Sequence, residues 1–293
     1  MLGRYTILGV LLFACGLDLT EAEDAVLHRV RRLINGEPVP DGEPWMAVLA
    51  YKNGPDEPRP FLIVCGLVVI DNQHILGTAH CVTPPVGSDE NVPDIGDDRD
   101  TIYVVLGLTD NSWGKVDDVQ IFALDGKEAS AVLNPDYTVT DVFNNDLSII
   151  TLNTPCAFND HVAALALPPP DIPDSKLKNC HFFGWGLIKD PPHGVTDNLF
   201  TRFLRTASLK ITKTSKCGTF FLGFLTEDHI CADGKAFPCF GDSGSPLVCE
   251  YDDKTYLFGL NSFRQRGDCD LKGVPQVYTR VATFLDWISS ETH

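Results

Sequence analysis

Three separated segments carry side chains that could do chemistry together. Residues 76–81 read LGTAHC, residues 144–149 read NNDLSI, and residues 239–249 read CFGDSGSPLVC. A serine hydroxyl is a poor nucleophile at neutral pH and needs a neighbouring base, so a serine, a histidine and an aspartate are the side chains of nucleophilic catalysis. In Gly241-Asp242-Ser243-Gly244 the glycines permit a tight turn that exposes the hydroxyl and aims backbone N–H groups inward. A lone histidine or aspartate is usually structural. His80, Asp146 and Ser243 in that order, with cysteines beside the first and last, are poorly explained that way.

The elements that must position these residues read as short strands. β-Branched and aromatic runs recur between turn clusters at Ala47–Tyr51, Phe61–Ile70, Ile102–Leu106, Leu147–Leu152, Leu209–Thr212, Pro246–Cys249, Tyr256–Leu260 and Gln276–Val281. Many short strands punctuated by Gly, Pro and Asp predict an all-β barrel or sandwich. Pro168, Pro169, Pro170 and Pro173 mark a connector between two halves. Residues 84–100 are acidic, rich in Pro and Gly and without apolar periodicity, so a surface loop is expected there. Phe284, Leu285, Trp287 and Ile288 suit an amphipathic helix near the C-terminus.

Composition narrows the class of function. The 293 residues hold 23 Lys+Arg against 40 Asp+Glu, a formal net charge of −17, with 44% hydrophobic residues. That is a globular composition, and its charge would repel nucleic acid and anionic lipid. At the N-terminus, Arg4 precedes a short apolar core from Ile7 to Phe13, well under the ~20 residues that span a bilayer. A cleaved secretion signal is expected, with cleavage after Gly16 or after Ala14. Secretion permits disulfides, and the 10 cysteines include no CxxC pair of the zinc-ribbon kind.

On these motifs the chain resembles the chymotrypsin-like (trypsin-fold) serine endopeptidases, from about Leu33 to the C-terminus. The resemblance implies two six-stranded antiparallel β-barrels with the active cleft between them and a C-terminal helix. It divides the chain into a signal at 1–16, an activation propeptide at 17–32 and a peptidase domain at 33–293. Within that domain the N-terminal barrel covers about 45–155, the connector about 156–179, the C-terminal barrel about 180–280 and the helix about 281–291. By the same resemblance Ser243 is the nucleophile, His80 the general base and then acid, and Asp146 the carboxylate that orients the imidazole. Backbone N–H groups of Gly241 and Ser243 would form the oxyanion hole.

Residues 31–36, RRLING, match the family's activation site. Cleavage after Arg32 by a protease of tryptic specificity would free the α-amino group of Leu33, which the family pairs with the aspartate before the nucleophile, here Asp242. Leucine stands where isoleucine is usual. Family pairings transfer as Cys65–Cys81, Cys180–Cys249, Cys217–Cys231 and Cys239–Cys269. Cys15 and Cys156 are left over, either a propeptide tether or free or intermolecular thiols.

Specificity is where the chain departs from its relatives. Trypsins place an aspartate six residues before the nucleophile; here it is Phe237, which would leave an incoming cation unpaired and desolvated. Ser262 and Phe263 lead to Arg264, and Gln276 stands two before Tyr278, so long side chains replace the usual pocket-wall glycines. These would narrow or cap the pocket, unless Arg264 simply faces solvent. Small apolar, large apolar and acidic P1 groups all remain, with apolar, non-basic P1 preferred. Protein inhibitors join substrates and the activator as expected partners, and no cofactor is expected. The family's calcium loop lacks its glutamate, Gly107 being followed by Leu108, so Asp110, Asp117 and Asp118 read as solvated and no metal is expected. The rival reading is a catalytically silent homologue that acts as a binding protein.

Overall fold

The computed structural model describes residues 36–52, 59–83, 101–112, 118–139, 142–187, 201–236, 238–265 and 273–293. The signal, the Arg32–Leu33 bond, the acidic loop, Phe237, Cys15 and Cys269 therefore lie outside the described residues.

The N-terminal sheet is built from β2 (Met46–Lys52), β3 (Phe61–Val69), β4 (His74–Gly77), β5 (Ile102–Leu106), β6 (Gln120–Ala123), β7 (Ala129–Leu133) and β10 (Ser148–Leu152). All its pairings are antiparallel, in the order β6-β5-β2-β3-β4-β10-β7. β2 is central and reads MAVLAYK, with its first five residues buried. A continuous apolar run of this kind is the mark of a strand covered on both faces. β8 (Thr138–Val139) and β9 (Phe143–Asn144) form a separate two-stranded ribbon before Asp146.

The C-terminal sheet runs β1-β12-β11-β14-β15-β16-β13, and β12 also pairs with β13, which closes six strands into a barrel. Its members are β1 (Glu37–Val39), β11 (Lys178–Gly184), β12 (Leu204–Thr212), β13 (His229–Gly234), β14 (Pro246–Tyr251), β15 (Lys254–Phe263) and β16 (Gln276–Arg280). A short helix, α1 (Thr214–Gly218), follows β12, and α2 (Leu285–Glu291) ends the chain.

The fold is the all-β architecture expected, with two differences of detail. The N-terminal half is a half-barrel. Its edge strands β6 and β7 do not pair with each other, and side chains of the intervening turn take up N–H groups there. Glu128 Oε2 accepts the N–H of Ala123 at 2.7 Å, and Asp125 Oδ1 accepts those of Lys127 and Glu128. The C-terminal helix is a 3₁₀ turn, Val281–Phe284, continued by α2. One apolar core joins the halves: Trp45, Val68 and Leu147 pack with Phe183, Trp185, Leu260 and Phe284. Trp45 meets Phe183 edge-on at 4.9 Å.

The halves also meet backbone to backbone where the Gly-Asp-Ser-Gly turn docks on β3. The N–H of Gly66 donates to Ser243 O at 2.7 Å. A Cβ on Gly66 would lie 2.1 Å from Ser245 Oγ and 2.9 Å from Ser245 Cα, and one on Gly244, whose φ is +75°, would lie 2.3 Å from Gly66 O. Both glycines are required by this close approach. Gly66→Ala should therefore lose about 1–3 kcal/mol by overpacking, read as a lowered denaturant midpoint. Gly218→Ala, whose Cβ would meet nothing within 4 Å, should not.

Candidate active site

His80 lies in the 3₁₀ turn Ala79–Cys81 that follows β4. A disulfide from Cys81 to Cys65 on β3 pins that turn, and Ser148 Oγ donates to Thr78 O at 3.1 Å from β10. Asp146 precedes β10, directly after Asn145 with its positive φ of 52°. The backbone N–H of His80 donates to Asp146 Oδ1 at 3.0 Å, and Nδ1 lies 2.8 Å from Oδ2. A carboxylate only accepts, so Nδ1 carries a proton, and in the neutral imidazole the lone pair is then on Nε2.

Asp146 is 1% exposed, and its remaining donors come from the other half of the molecule. Ser262 Oγ donates to Oδ2, and Thr279 Oγ1 donates to the main-chain oxygen at 2.8 Å. Burial raises the carboxyl, but the charge that His80 carries when protonated and the hydrogen bonds from His80 and Ser262 outweigh it and hold it below the ordinary range.

Ser243 is brought to the same place by its own loop. Its carbonyl is held by Gly66, next to Cys65, whose disulfide leads to the neighbour of His80. Ser243 Oγ makes no hydrogen bond to His80. The N–H groups of Asp242 and Gly244 are taken by Cys239 O and Asn261 O, whereas those of Gly241 and Ser243 donate to no described residue. Gly241 has φ +89°, a conformation that turns this backbone without a Cβ penalty.

The expected pocket residues separate. Ser262 turns its hydroxyl onto Asp146 and so belongs to the carboxylate's environment. Phe263 packs edge-on against Phe143, Phe221 and His229. Arg264 is half-buried, its guanidinium carbon 5.5 Å from the ring centre of Phe240, itself 59% exposed. It therefore reaches across towards the serine loop rather than into solvent. Gln276 is buried at the start of β16. Phe237 lies outside the described residues.

Disulfides join Cys65 to Cys81, Cys180 to Cys249 and Cys217 to Cys231. Cys239 is also disulfide-bonded. Cys156 is an unpaired, buried thiol, and burial raises its pKa. Asp110 is held by Arg202 through both carboxylate oxygens, and the Arg202 hydrogen bond is the main reason its carboxyl falls to about 2.

Comparison with known proteins agrees with this geometry. The trypsin family model matches residues 33–288. The chain belongs to the trypsin family. Proclotting enzyme of Tachypleus tridentatus is 29% identical over 269 residues, an alignment covering 88% of this chain and 65% of that protein, so the chain spans less than two thirds of its relative's length. Among solved structures, neuropsin, a serine protease expressed in the limbic system of mouse brain, superposes with a TM-score of 0.68 at 24% identity. That match covers 88% of this chain and 99% of neuropsin.

Two residues beside the site carry no signal in the sequence. Phe143 lies flat on His80, ring centres 4.9 Å apart and planes 11° apart. Thr279 holds the Asp146 carbonyl from a strand 133 positions away. Both are ordinary strand residues, and only the pairing of distant segments gives them a role.

Asp242 is the second buried carboxylate. Its Oδ1 accepts the N–H of Gly186 and its Oδ2 that of Cys239, both at 2.8 Å, and among the described residues no cation pairs with it. Gly184 and Gly186 leave the room it occupies, since a Cβ on either would fall within 2.5 Å of its carboxyl atoms. Burial pushes the carboxyl up to about 7, more than the two N–H donors recover. A value raised above the unfolded 3.8 means that the folded chain binds this proton more tightly, so the stability it confers is intact below about 4 and is lost as pH rises through about 7. The uncleaved chain should therefore show a falling urea midpoint across that window, and Asp242→Asn should flatten the fall.

Proposed function

We propose that this chain is a secreted serine endopeptidase made as a zymogen and switched on by cleavage after Arg32. What carries the reading is the Nδ1–Asp146 contact of 2.8 Å, which leaves Nε2 of His80 as a base on the side away from the carboxylate. Ser243 Oγ attacks the substrate carbonyl carbon as His80 Nε2 takes its proton. The imidazolium, steadied by Asp146, then returns that proton to the leaving amine. An acyl-enzyme remains, and water removes it by the same steps in reverse roles. The two unclaimed N–H groups of Gly241 and Ser243 suit the oxyanion of each tetrahedral intermediate. The hydrogen bond between Ser243 and His80 forms with substrate present, as such bonds are often long in the free enzyme.

Activation supplies what Asp242 lacks. The ammonium of Leu33, freed by an activator of tryptic specificity, would be the cation in a socket where the described residues offer N–H donors alone. A buried ion pair is poor at adding stability but good at switching, because one partner without the other is costly. The signal at 1–16 and propeptide at 17–32 fit this order of processing. Primary specificity is apolar and non-basic: Phe237 stands at the sequence position where trypsins carry their aspartate, and Arg264 lies over Phe240. Protein substrates and protein inhibitors are the partners of such a cleft.

The Arg264–Phe240 contact also favours a second reading, a silent homologue whose occupied cleft binds a partner. Fluorophosphonate labelling separates the two. The chain cleaved after Arg32 should label at Ser243, the uncleaved chain should label at least tenfold more slowly, and Ser243→Ala should not label. A cleaved wild-type chain that fails to label overturns the peptidase reading.

A further inference from the structure

His229, which opens β13, is only 2% exposed and is not among the residues to which the family's chemistry is assigned above. Its ring is held at both nitrogens. Nδ1 receives the backbone N–H of Thr226 at 3.0 Å, with Thr226 Oγ1 also at 3.0 Å. Nε2 lies 2.9 Å from Phe143 O. An amide N–H only donates and a carbonyl only accepts, so the ring is neutral with its proton on Nε2, donated to Phe143. That bond crosses 86 positions, from the closed barrel to the ribbon that leads into Asp146.

Phe143 has little else to place it, since β8 and β9 are two residues each. Yet its ring lies flat on His80. Phe263 meets both Phe143, at 6.1 Å, and His229, at 5.5 Å. The four rings thus form a circuit: His80 on Phe143, Phe143 against Phe263, Phe263 against His229, and His229 back to Phe143 by hydrogen bond. The His229 main chain is fixed in turn, its carbonyl accepting from Arg280 Nη2 at 3.1 Å while Arg280 pairs with Asp174.

From this circuit we infer that His229 is a positioning residue: its Nε2–H holds the Phe143 carbonyl so that the Phe143 ring stays on the imidazole of His80. It touches neither substrate nor reacting atoms. Its catalytic consequence rests on the peptidase reading above, but its structural one does not. Glutamine offers the same carbonyl an amide N–H, whereas leucine offers none.

The test uses the full chain and has two arms. In the uncleaved chain, the His80 Cε1–H resonance should be shielded by the Phe143 ring. His229→Leu and Phe143→Ala should both move it downfield to a similar position, and His229→Gln should restore most of the shielding. In the cleaved chain, His229→Leu should lower kcat/KM about three- to tenfold, the worth of one hydrogen bond. That loss should vanish when His229→Leu is added to Phe143→Ala, and His229→Gln should recover it. A His80 resonance indifferent to His229→Leu in a folded chain overturns the inference. So does an additive loss in the double variant, which would mark a general structural role. Because the resonance is read without turnover, an inactive cleaved wild type would overturn the peptidase reading alone.

Discussion

A carboxylate 1% exposed must be surrounded by donors, and the arrangement around Asp146 follows from that requirement. The effective penalty for an ion taken out of water is several kcal/mol, against a whole-domain stability of about 5–15 kcal/mol. Asp146 therefore cannot be left short of partners cheaply. Its donors come from the turn after β4, from the end of β15 and from β16. Two of those elements belong to the C-terminal barrel and one to the N-terminal half. Satisfying one side chain thus fixes how the two halves meet, and it fixes the tautomer of His80 as a by-product. The close approach of Gly66 and Gly244 does the same for the serine loop by sterics alone.

The two buried carboxylates of this region make a controlled comparison. Both are excluded from water, and both accept backbone N–H groups. Asp146 also faces an imidazole and a hydroxyl, and its pKa falls; Asp242, among the described residues, faces two N–H groups and no cation, and its pKa rises to about 7. Burial has the same sign in each, so the partners decide the outcome. Tyr278 feels the consequence. Its buried hydroxyl finds no partner among the described residues, and burial followed by the charge of Asp242 drives its pKa upward.

Legibility in the sequence followed locality. β2, β3, β5 and β14 could be read because central strands covered on both faces need unbroken apolar runs, such as the IYVVL of β5. β4, β6 and β7 could not: they are four or five residues long, and β7 exposes three in succession, so no alternation marks them. The half-barrel was not legible because whether two edge strands meet is a property of the assembled sheet and leaves no local pattern in the sequence. His80, Asp146 and Ser243 stand out because each carries its own short motif. The bond from Ser262 to Asp146 was not legible, because a serine at a strand end does not announce which carboxylate it will reach. Phe143 and His229 were silent, since their partnership is a main-chain bond that any residue 143 could accept.

The ring on His80 is better suited to its place than a polar neighbour would be. In the proposed mechanism His80 works through Nε2 and must pass between neutral and cationic forms, and an in-plane acceptor or donor beside Nε2 would bias it toward one of them. Phe143 lies parallel to the imidazole and presents no lone pair, so it competes for neither ring nitrogen. Its π face is weakly attractive to a cation, typically by about 0.5–1 kcal/mol at partly exposed sites, and is tolerant of the neutral ring. Covering that face also keeps water from it, leaving Asp146 as the fixed partner at Nδ1 and, in the proposed mechanism, the reacting groups as the variable one at Nε2. The aromatic wall thus limits what His80 can bond to without adding a group that would itself titrate.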